Sequence, residues 1–181
     1  MHNTKVILTV ADITTLDVDA IVNAANPQLR KGGGVCGAIH RAAGPELEAE
    51  CLRLYPEGIQ PGQAVATQGF NSKAKWIIHA VAPVSNGDPN QDDFDLQMAY
   101  ANSIRLADEL GAKSVAIPSL GTGIYGWKID RVGFRITKDA IPAPAHLSKN
   151  LETVILCCFS QEDADAYYQF VADNPGYWSR A

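Results

Sequence analysis

The chain has 181 residues, of which 46% are hydrophobic and 19% are charged, and its formal net charge is −5. This length predicts a single domain over residues 1–181 that buries its own core. The acidic balance argues against broad nucleic-acid binding, which needs clustered Lys and Arg. Because neither a run of about 18 apolar residues nor a signal-like N-terminus is present, we expect a cytoplasmic protein that has no membrane partner.

Short apolar runs and helical periodicities divide the chain into alternating strands and helices. Strands are predicted at residues 6–10, 20–22, 64–67, 76–81, 115–117 and 153–159. Helices are predicted at residues 45–55, 93–110 and 130–140, with a final helix capped by Ser160. Pro142 and Pro144 are expected to stop the helix at 130–140. Strands without polar alternation are covered on both faces, so an α/β fold follows, a three-layer α/β/α sandwich.

Two segments are predicted to be loosely held, and the longest helix is the most clearly patterned. The polar loop at residues 85–92 and the tail from about residue 174 lack a continuous apolar face, although Tyr177 and Trp178 could dock on the body. The apolar stripe of the helix at 93–110 consists of Leu96, Tyr100, Ile104, Ala107 and Leu110. Gly111 follows this stripe, where a helix C-cap belongs.

The four cysteines do not have the spacing of a metal site. They are Cys36, Cys51, Cys157 and Cys158, and no Cys-x-x-Cys pair occurs. We therefore expect no metal and interpret Cys51, Cys157 and Cys158 as reduced thiols that serve as small apolar residues.

A glycine run after the second strand is the first candidate ligand loop. Residues 23–26, Asn-Ala-Ala-Asn, follow that strand, and three glycines at 32–34 lead into a predicted helix. Glycines let the backbone approach a ligand closely. The start of a helix offers free N–H groups and a partial positive charge, which together favour a phosphate. Taken alone, the glycines are equally consistent with a flexible loop.

A second glycine-rich turn follows the strand at 115–117. Residues 121–126 match G-x-G-x-x-G, but three residues separate the match from the next predicted helix, and it lies late in the chain. A dinucleotide fingerprint opens a βαβ unit and runs directly into a helix. An NAD-dependent oxidoreductase is therefore a remote alternative. Two such loops at the carboxyl ends of strands predict one cleft for a ligand with more than one phosphate.

These segments together resemble one protein family. Residues 10–14, 19–26, 32–44 and 121–126 are similar, in family order, to the macrodomain family and specifically to its MacroD-type branch. The resemblance covers nearly the whole chain. It implies the macro domain fold, with a central mixed sheet, and an ADP-ribose cleft that needs no cofactor. It also implies ADP-ribose or an ADP-ribosylated protein as the partner; the oligomeric state stays open, with a monomer favoured.

The resemblance also implies roles for individual residues. Asp12 occupies the position of an aspartate that accepts a hydrogen bond from the adenine amino group, a role that suits a carboxylate. The backbone N–H of Ile13 also faces adenine. Phe159 matches an aromatic beside the adenine or its ribose, with a plain core role as the alternative, and Asn26 is expected to bind the distal ribose hydroxyls. The residues expected to hold the diphosphate and distal ribose are Gly33, Gly34, Val35, Ser119, Gly121, Thr122, Gly123, Ile124 and Tyr125.

Cys36 is the main departure from the family pattern. Hydrolytic members usually carry aspartate there, a residue thought to orient or activate the attacking water. Asn26 and Cys36 are therefore the candidate catalytic positions, and three outcomes are open: binding without turnover, slow hydrolysis, or a role for a Cys36 thiolate stabilised by the helix N-terminus. The resulting hypotheses are a hydrolase of ADP-ribosyl esters, on proteins or O-acetyl-ADP-ribose, and a non-catalytic reader or sink. We interpret Asn23 as a loop anchor and His40 as a packed histidine.

Overall fold

The computed structural model describes residues 4–86, 88–136, 140–171 and 178–180. Their strands are β1 Lys5–Val10, β2 Ala20–Ala24, β3 Ala64–Gln68, β4 Trp76–Ala80, β5 Ser114–Pro118, β6 Thr153–Cys158 and β7 Trp178–Arg180. Their α-helices are α1 Gly34–Ala43, α2 Glu46–Leu54, α3 Pro89–Glu109, α4 Ile129–Arg135, α5 Pro142–Leu147 and α6 Gln161–Val171, and a 3-10 turn covers Ile13–Thr15.

The strands form one mixed sheet with the order β3-β4-β2-β5-β6-β1-β7. Only β3 runs antiparallel to its neighbour among the described strand pairs, as Val65 pairs with His79. The parallel register, with Val6 opposite Val154 and Ile117 opposite Leu156, brings the carboxyl ends of β1, β2, β5 and β6 to the same edge. The segments that leave these four strands therefore meet at that edge, where α/β proteins commonly bind ligands.

Both faces of the sheet are covered, which confirms the three-layer α/β/α sandwich. Neighbouring residues of β2 point to opposite sides, so Ile21 and Val22 belong to different hydrophobic clusters. The stripe of α3, which includes Leu96, Tyr100 and Ile104, packs in the same cluster as Val22. On the other face, α1 and α2 contribute apolar residues to the cluster of Ile21, and Leu47 is fully buried there.

Two helix boundaries differ from the sequence prediction. Helix α3 begins at Pro89 rather than 93, because the Asp88 carboxylate caps it by accepting from the Asn90 and Gln91 N–H groups. Pro142 begins α5, a helix that was not predicted, since proline at the first position lacks only an N–H that has no helical partner there. Helix α4 ends at Arg135, and residues 137–139 of the predicted helix at 130–140 lie outside the described residues.

The two segments predicted to be loose are tied at several points. The Ser85 N–H donates to the Tyr125 carbonyl at 2.9 Å, and the Asn86 N–H donates to the Asp92 carboxylate at 3.2 Å. In the tail, Trp178–Arg180 form β7 beside β1, whereas residues 172–177 are not described. Ser160 caps α6 as predicted, since its hydroxyl accepts from the Asp163 N–H at 3.2 Å. Within the described ranges, no helix combines the length and the apolar character needed to cross a bilayer.

Candidate functional site

A cavity of about 800 Å³ opens at the carboxyl edge of the sheet. This volume is in the range of small-molecule sites. Its walls are the segments that leave β1, β2, β5 and β6, together with the first turns of α1. All of the residues predicted to bind or act on the ligand line it: Asp12, Ile13, Asn26, Gly33, Gly34, Val35, Cys36, Ser119, Gly121, Thr122, Gly123, Ile124, Tyr125 and Phe159.

Asp12 lines the cavity as an oriented carboxylate. Its Oδ1 accepts hydrogen bonds from the Thr14 N–H at 2.9 Å and from the Thr14 hydroxyl at 2.7 Å. The bond from the Thr14 hydroxyl is the main cause that lowers the pKa of Asp12. Asp12 therefore stays an anion that can only accept hydrogen bonds, held in place before any ligand arrives.

The glycine loop before α1 is closed by Asn26. The side-chain amide of Asn26 donates to the Arg30 carbonyl at 2.8 Å, and its Oδ1 accepts from the Arg30 N–H at 3.1 Å. Helix α1 then begins at Gly34, with Gly33 as an N-cap that makes no side-chain hydrogen bond. The first N–H groups of α1 have no partner inside the helix, so the loop presents amide donors at the cavity wall.

Cys36 lies in this wall as a neutral thiol. Its Sγ donates to the Arg30 carbonyl at 3.6 Å, and the residue is 7% exposed. Burial raises the pKa of Cys36, because a thiolate loses its hydration there. This direction is opposite to the lowering expected from the helix N-terminus and does not support the thiolate hypothesis. Desolvation outweighs the hydrogen bond from the Gly32 backbone that favours the anion.

The start of the second loop, residues 119–125, is held by the Tyr100 side chain. The Tyr100 hydroxyl donates to the Pro118 carbonyl at 3.3 Å and accepts from the Leu120 N–H at 2.8 Å. Gly121 has φ +82°, which favours glycine. The next helix, α4, begins only at Ile129, so this G-x-G-x-x-G match forms a loop rather than the start of a helix.

Arg41, Cys157 and Asp163 also line the cavity but were not predicted. Two of them follow a periodicity that sequence reasoning could have used. Cys157 lies two residues before Phe159 in the strand predicted at 153–159, and residues two apart on a strand face the same side. Arg41 lies three residues after Ala38 on α1, which is also a cavity residue. No comparable signal marked Asp163.

A buried polar cluster lies outside the cavity, at the face of the sheet that α1 and α2 cover. The Asn23 amide donates to His79 Nδ1 at 3.1 Å, and the Asn23 side chain also interacts with the Cys36 thiol in the first turn of α1. His79 Nε2 lies 3.0 Å from the Thr67 hydroxyl. His40 is buried as predicted and is not among the described residues that line the cavity. Burial lowers the pKa of His79 to about 3. Burial also lowers the pKa of His40, so both imidazoles are neutral at pH 7.

Stability is expected to fall as the pH drops below about 6.5, the usual pKa of an unfolded histidine. Between this value and about 3, the unfolded chain binds a proton at residue 79 that the folded chain refuses. The unfolding free energy should then decrease by up to about 1.4 kcal/mol per pH unit. Urea unfolding at several pH values measures the slope. His79→Gln should reduce it, whereas a change of the exposed His146 to Gln should not; an equal slope in all three proteins would contradict this prediction.

Comparison with known proteins is consistent with this architecture. A family model described as Macro domain matches residues 22–134. A macro domain-containing protein of Chlorobaculum tepidum is 43% identical over 162 residues, which cover 90% of this chain and 92% of the relative. A protein of Enterobacter sp. (strain 638) named O-acetyl-ADP-ribose deacetylase is 42% identical over 172 residues, with coverage of 90% and 91%.

Solved structures share the same fold. An Oceanobacillus iheyensis macrodomain mutant with ADPR superimposes with a TM-score of 0.87 at 33% identity, covering 94% of each chain. The Trypanosoma brucei macrodomain in complex with ADP-ribose gives a TM-score of 0.81 at 31% identity, covering 91% of this chain and 68% of the other. The match over residues 22–134 and the identity to relatives along nine-tenths of the chain lead to one conclusion: the chain belongs to the macro domain family.

Proposed function

We propose that this protein binds ADP-ribose in the cavity at the carboxyl edge of its sheet. The observation that carries the proposal is the meeting of two glycine loops and the Asp12 carboxylate around one space of about 800 Å³. Backbone amides of two loops suit a diphosphate, and a carboxylate at one end suits the amino group of a base. Relatives in the same family have been solved with ADPR or ADP-ribose bound.

The adenine lies at the end of the cavity marked by Asp12. The carboxylate accepts from the adenine amino group, and the Ile13 N–H donates to the ring. Phe159, a residue that is 86% exposed, packs on the base or its ribose and becomes covered. An exposed phenylalanine at a cavity rim is better explained by such a contact than by a core role, which supports the first of the two interpretations of this residue.

The diphosphate and distal ribose lie between the loop at 32–35 and the loop at 119–125. Arg41, the basic residue among the described cavity-lining residues, adds a positive charge on the side of α1. Asn26 uses both groups of its amide on Arg30, so it contacts the distal ribose through the remaining N–H hydrogen and oxygen lone pair.

The observations at Cys36 favour binding over rapid turnover. A protonated thiol that donates to the Arg30 carbonyl cannot take a proton from water, so general-base catalysis at this position is lost. We therefore propose a reader or sink of ADP-ribose or of ADP-ribosylated proteins. The second candidate is a slow hydrolase of ADP-ribosyl esters, which the relatives named O-acetyl-ADP-ribose deacetylase favour. The NAD-dependent oxidoreductase is not supported.

Calorimetric titration of the purified protein with ADP-ribose tests the binding proposal. Saturable heat with one site is the expected result, and ADP should compete because it shares the adenine and the diphosphate. A titration with neither heat nor competition would end the proposal. Incubation with O-acetyl-ADP-ribose and with a mono-ADP-ribosylated protein separates the reader from the slow hydrolase.

Replacing Asp12 with alanine is expected to weaken ADP-ribose binding by on the order of 1–3 kcal/mol, the cost of one charge-assisted contact. The Thr14 hydroxyl and N–H lose their acceptor at the same time. Calorimetry measures the change in Kd. The exposed Asp17, which is not among the described cavity residues, provides the matched control. Equal affinities of Asp12→Ala, Asp17→Ala and the unmodified protein would remove Asp12 from the site.

A further inference from the structure

We propose that Trp127, which does not line the cavity, is the positioning residue that sets the shape of the loop at 119–125. The inference rests on the proposed function, because it assigns this loop to the diphosphate and distal ribose. Trp127 is 3% exposed and lies behind the loop. Tyr100 holds only the first residues of the loop, so its later residues need another support.

The backbone of the loop at 119–125 packs against the Trp127 indole. The backbone N–H of Trp127 donates to the Gly121 carbonyl at 3.1 Å, and the backbone N–H of Gly126 donates to the Gly123 carbonyl at 3.2 Å. A Cβ added to Gly121 would lie 2.6 Å from the indole Cδ1. The backbone of the loop therefore contacts the indole closely, and the positions of its amides depend on the position of the ring.

Two contacts fix the indole itself. Its Nε1–H donates to the Pro83 carbonyl at 2.8 Å, a buried bond to the segment that leaves β4. The Arg131 guanidinium lies 4.9 Å from the centre of the ring, within the range of cation–π contact. Arg131 Nη2 also forms an ion pair of 2.6 Å with Asp93 on α3, whose side chain is 10% exposed.

The segment after β4 that binds the indole also holds the end of the loop. The Ser85 N–H, two residues after Pro83, donates to the Tyr125 carbonyl at 2.9 Å. The segment at 83–85 therefore bonds to both the indole and the last residue of the loop. Loss of the Nε1–H bond would leave a buried carbonyl without its donor, and the indole and the loop would shift together. Trp127 thus acts on the ligand only through the loop amides.

The test compares two ligands in variants of the full chain. ADP-ribose reaches the loop through its second phosphate and distal ribose, whereas AMP keeps the adenine end and stops at the first phosphate. Trp127→Phe keeps an aromatic ring and removes only Nε1–H and part of the indole. We expect the Kd for ADP-ribose to rise about tenfold and the Kd for AMP by less than about twofold, because the variant removes one buried hydrogen bond that supports the loop.

Trp76→Phe is the control, because the Trp76 ring also lies beside a cation, Lys75 at 5.4 Å, but Trp76 is half-buried on β4 and lies outside the loop. Trp76→Phe should leave the ratio of the ADP-ribose Kd to the AMP Kd unchanged. Arg131→Met is the second variant, since it removes the cation from the indole at a half-exposed position and should shift the ratio in the same direction as Trp127→Phe.

An unchanged ratio in folded Trp127→Phe, or equal losses for both ligands, would overturn the assignment. If Trp127→Phe does not fold, the ratio in Arg131→Met decides in the same way. The failure of the proposed function has a different result: the unmodified protein would then bind ADP-ribose no better than AMP.

Discussion

Replacing Cys36 with aspartate is expected to raise the turnover of an ADP-ribosyl ester by about 10²-fold or more, the usual contribution of a general base. The Cys36 thiol is buried and protonated, whereas an aspartate at the cavity wall is ionised at neutral pH and can accept a proton from water. The carboxylate has no hydrogen to offer the Arg30 carbonyl, which now accepts from Sγ at 3.6 Å. It should therefore turn away from Arg30 and into the cavity.

Release of ADP-ribose from a mono-ADP-ribosylated protein, and of acetate from O-acetyl-ADP-ribose, measures this effect. The rate of Cys36→Asp should also decrease at acidic pH, as its carboxylate becomes protonated. Cys36→Ser is the control, because its hydroxyl still donates to Arg30 but supplies no base, and its turnover should equal that of the unmodified protein. An unmodified protein as fast as Cys36→Asp would show that position 36 is not the reason for slow hydrolysis.

Replacing Gly121 with alanine is expected to weaken ADP-ribose binding by about 3 kcal/mol, more than hundredfold in Kd. The new Cβ would lie 2.6 Å from the Trp127 ring, and this close contact is the cause of the weaker binding. An L-residue at φ +82° is also strained by about 1–2 kcal/mol, which lowers the stability of the folded protein. Because Trp127 is buried, the loop must move instead, and at least two of its amides lose their alignment with the ligand.

Gly126→Ala separates the effect of the close contact with Trp127 from the effect of backbone strain at positive φ. Gly126 has φ +79°, and a Cβ there would meet nothing within 4 Å. This variant should lose a similar amount of stability to strain but bind ADP-ribose almost as well as the unmodified protein. Calorimetry and thermal unfolding of both variants check the prediction, which fails if Gly126→Ala weakens binding as much as Gly121→Ala does.

The cleft could be predicted because its main parts are local. Glycine runs after strands appear directly in the sequence, and parallel strands bring their carboxyl ends to one edge, so the loops at 32–34 and 121–126 were expected to meet. The fold class followed from the same pattern of apolar strands between amphipathic helices. The helix at Pro142 was missed because proline stops a helix in its interior but begins one at its first turn, and only the path of the chain distinguishes the two cases.

The sequence by itself therefore determined the layer architecture, the two loops and the residue types at their tips. These features depend on backbone preferences and on the period of apolar residues, which extend over only a few neighbours. The tertiary structure alone decided that Cys36 is a neutral donor and that the Trp127 indole supports the second loop from behind. Burial and contacts between distant segments set these properties, because desolvation and close packing arise only once the chain has folded.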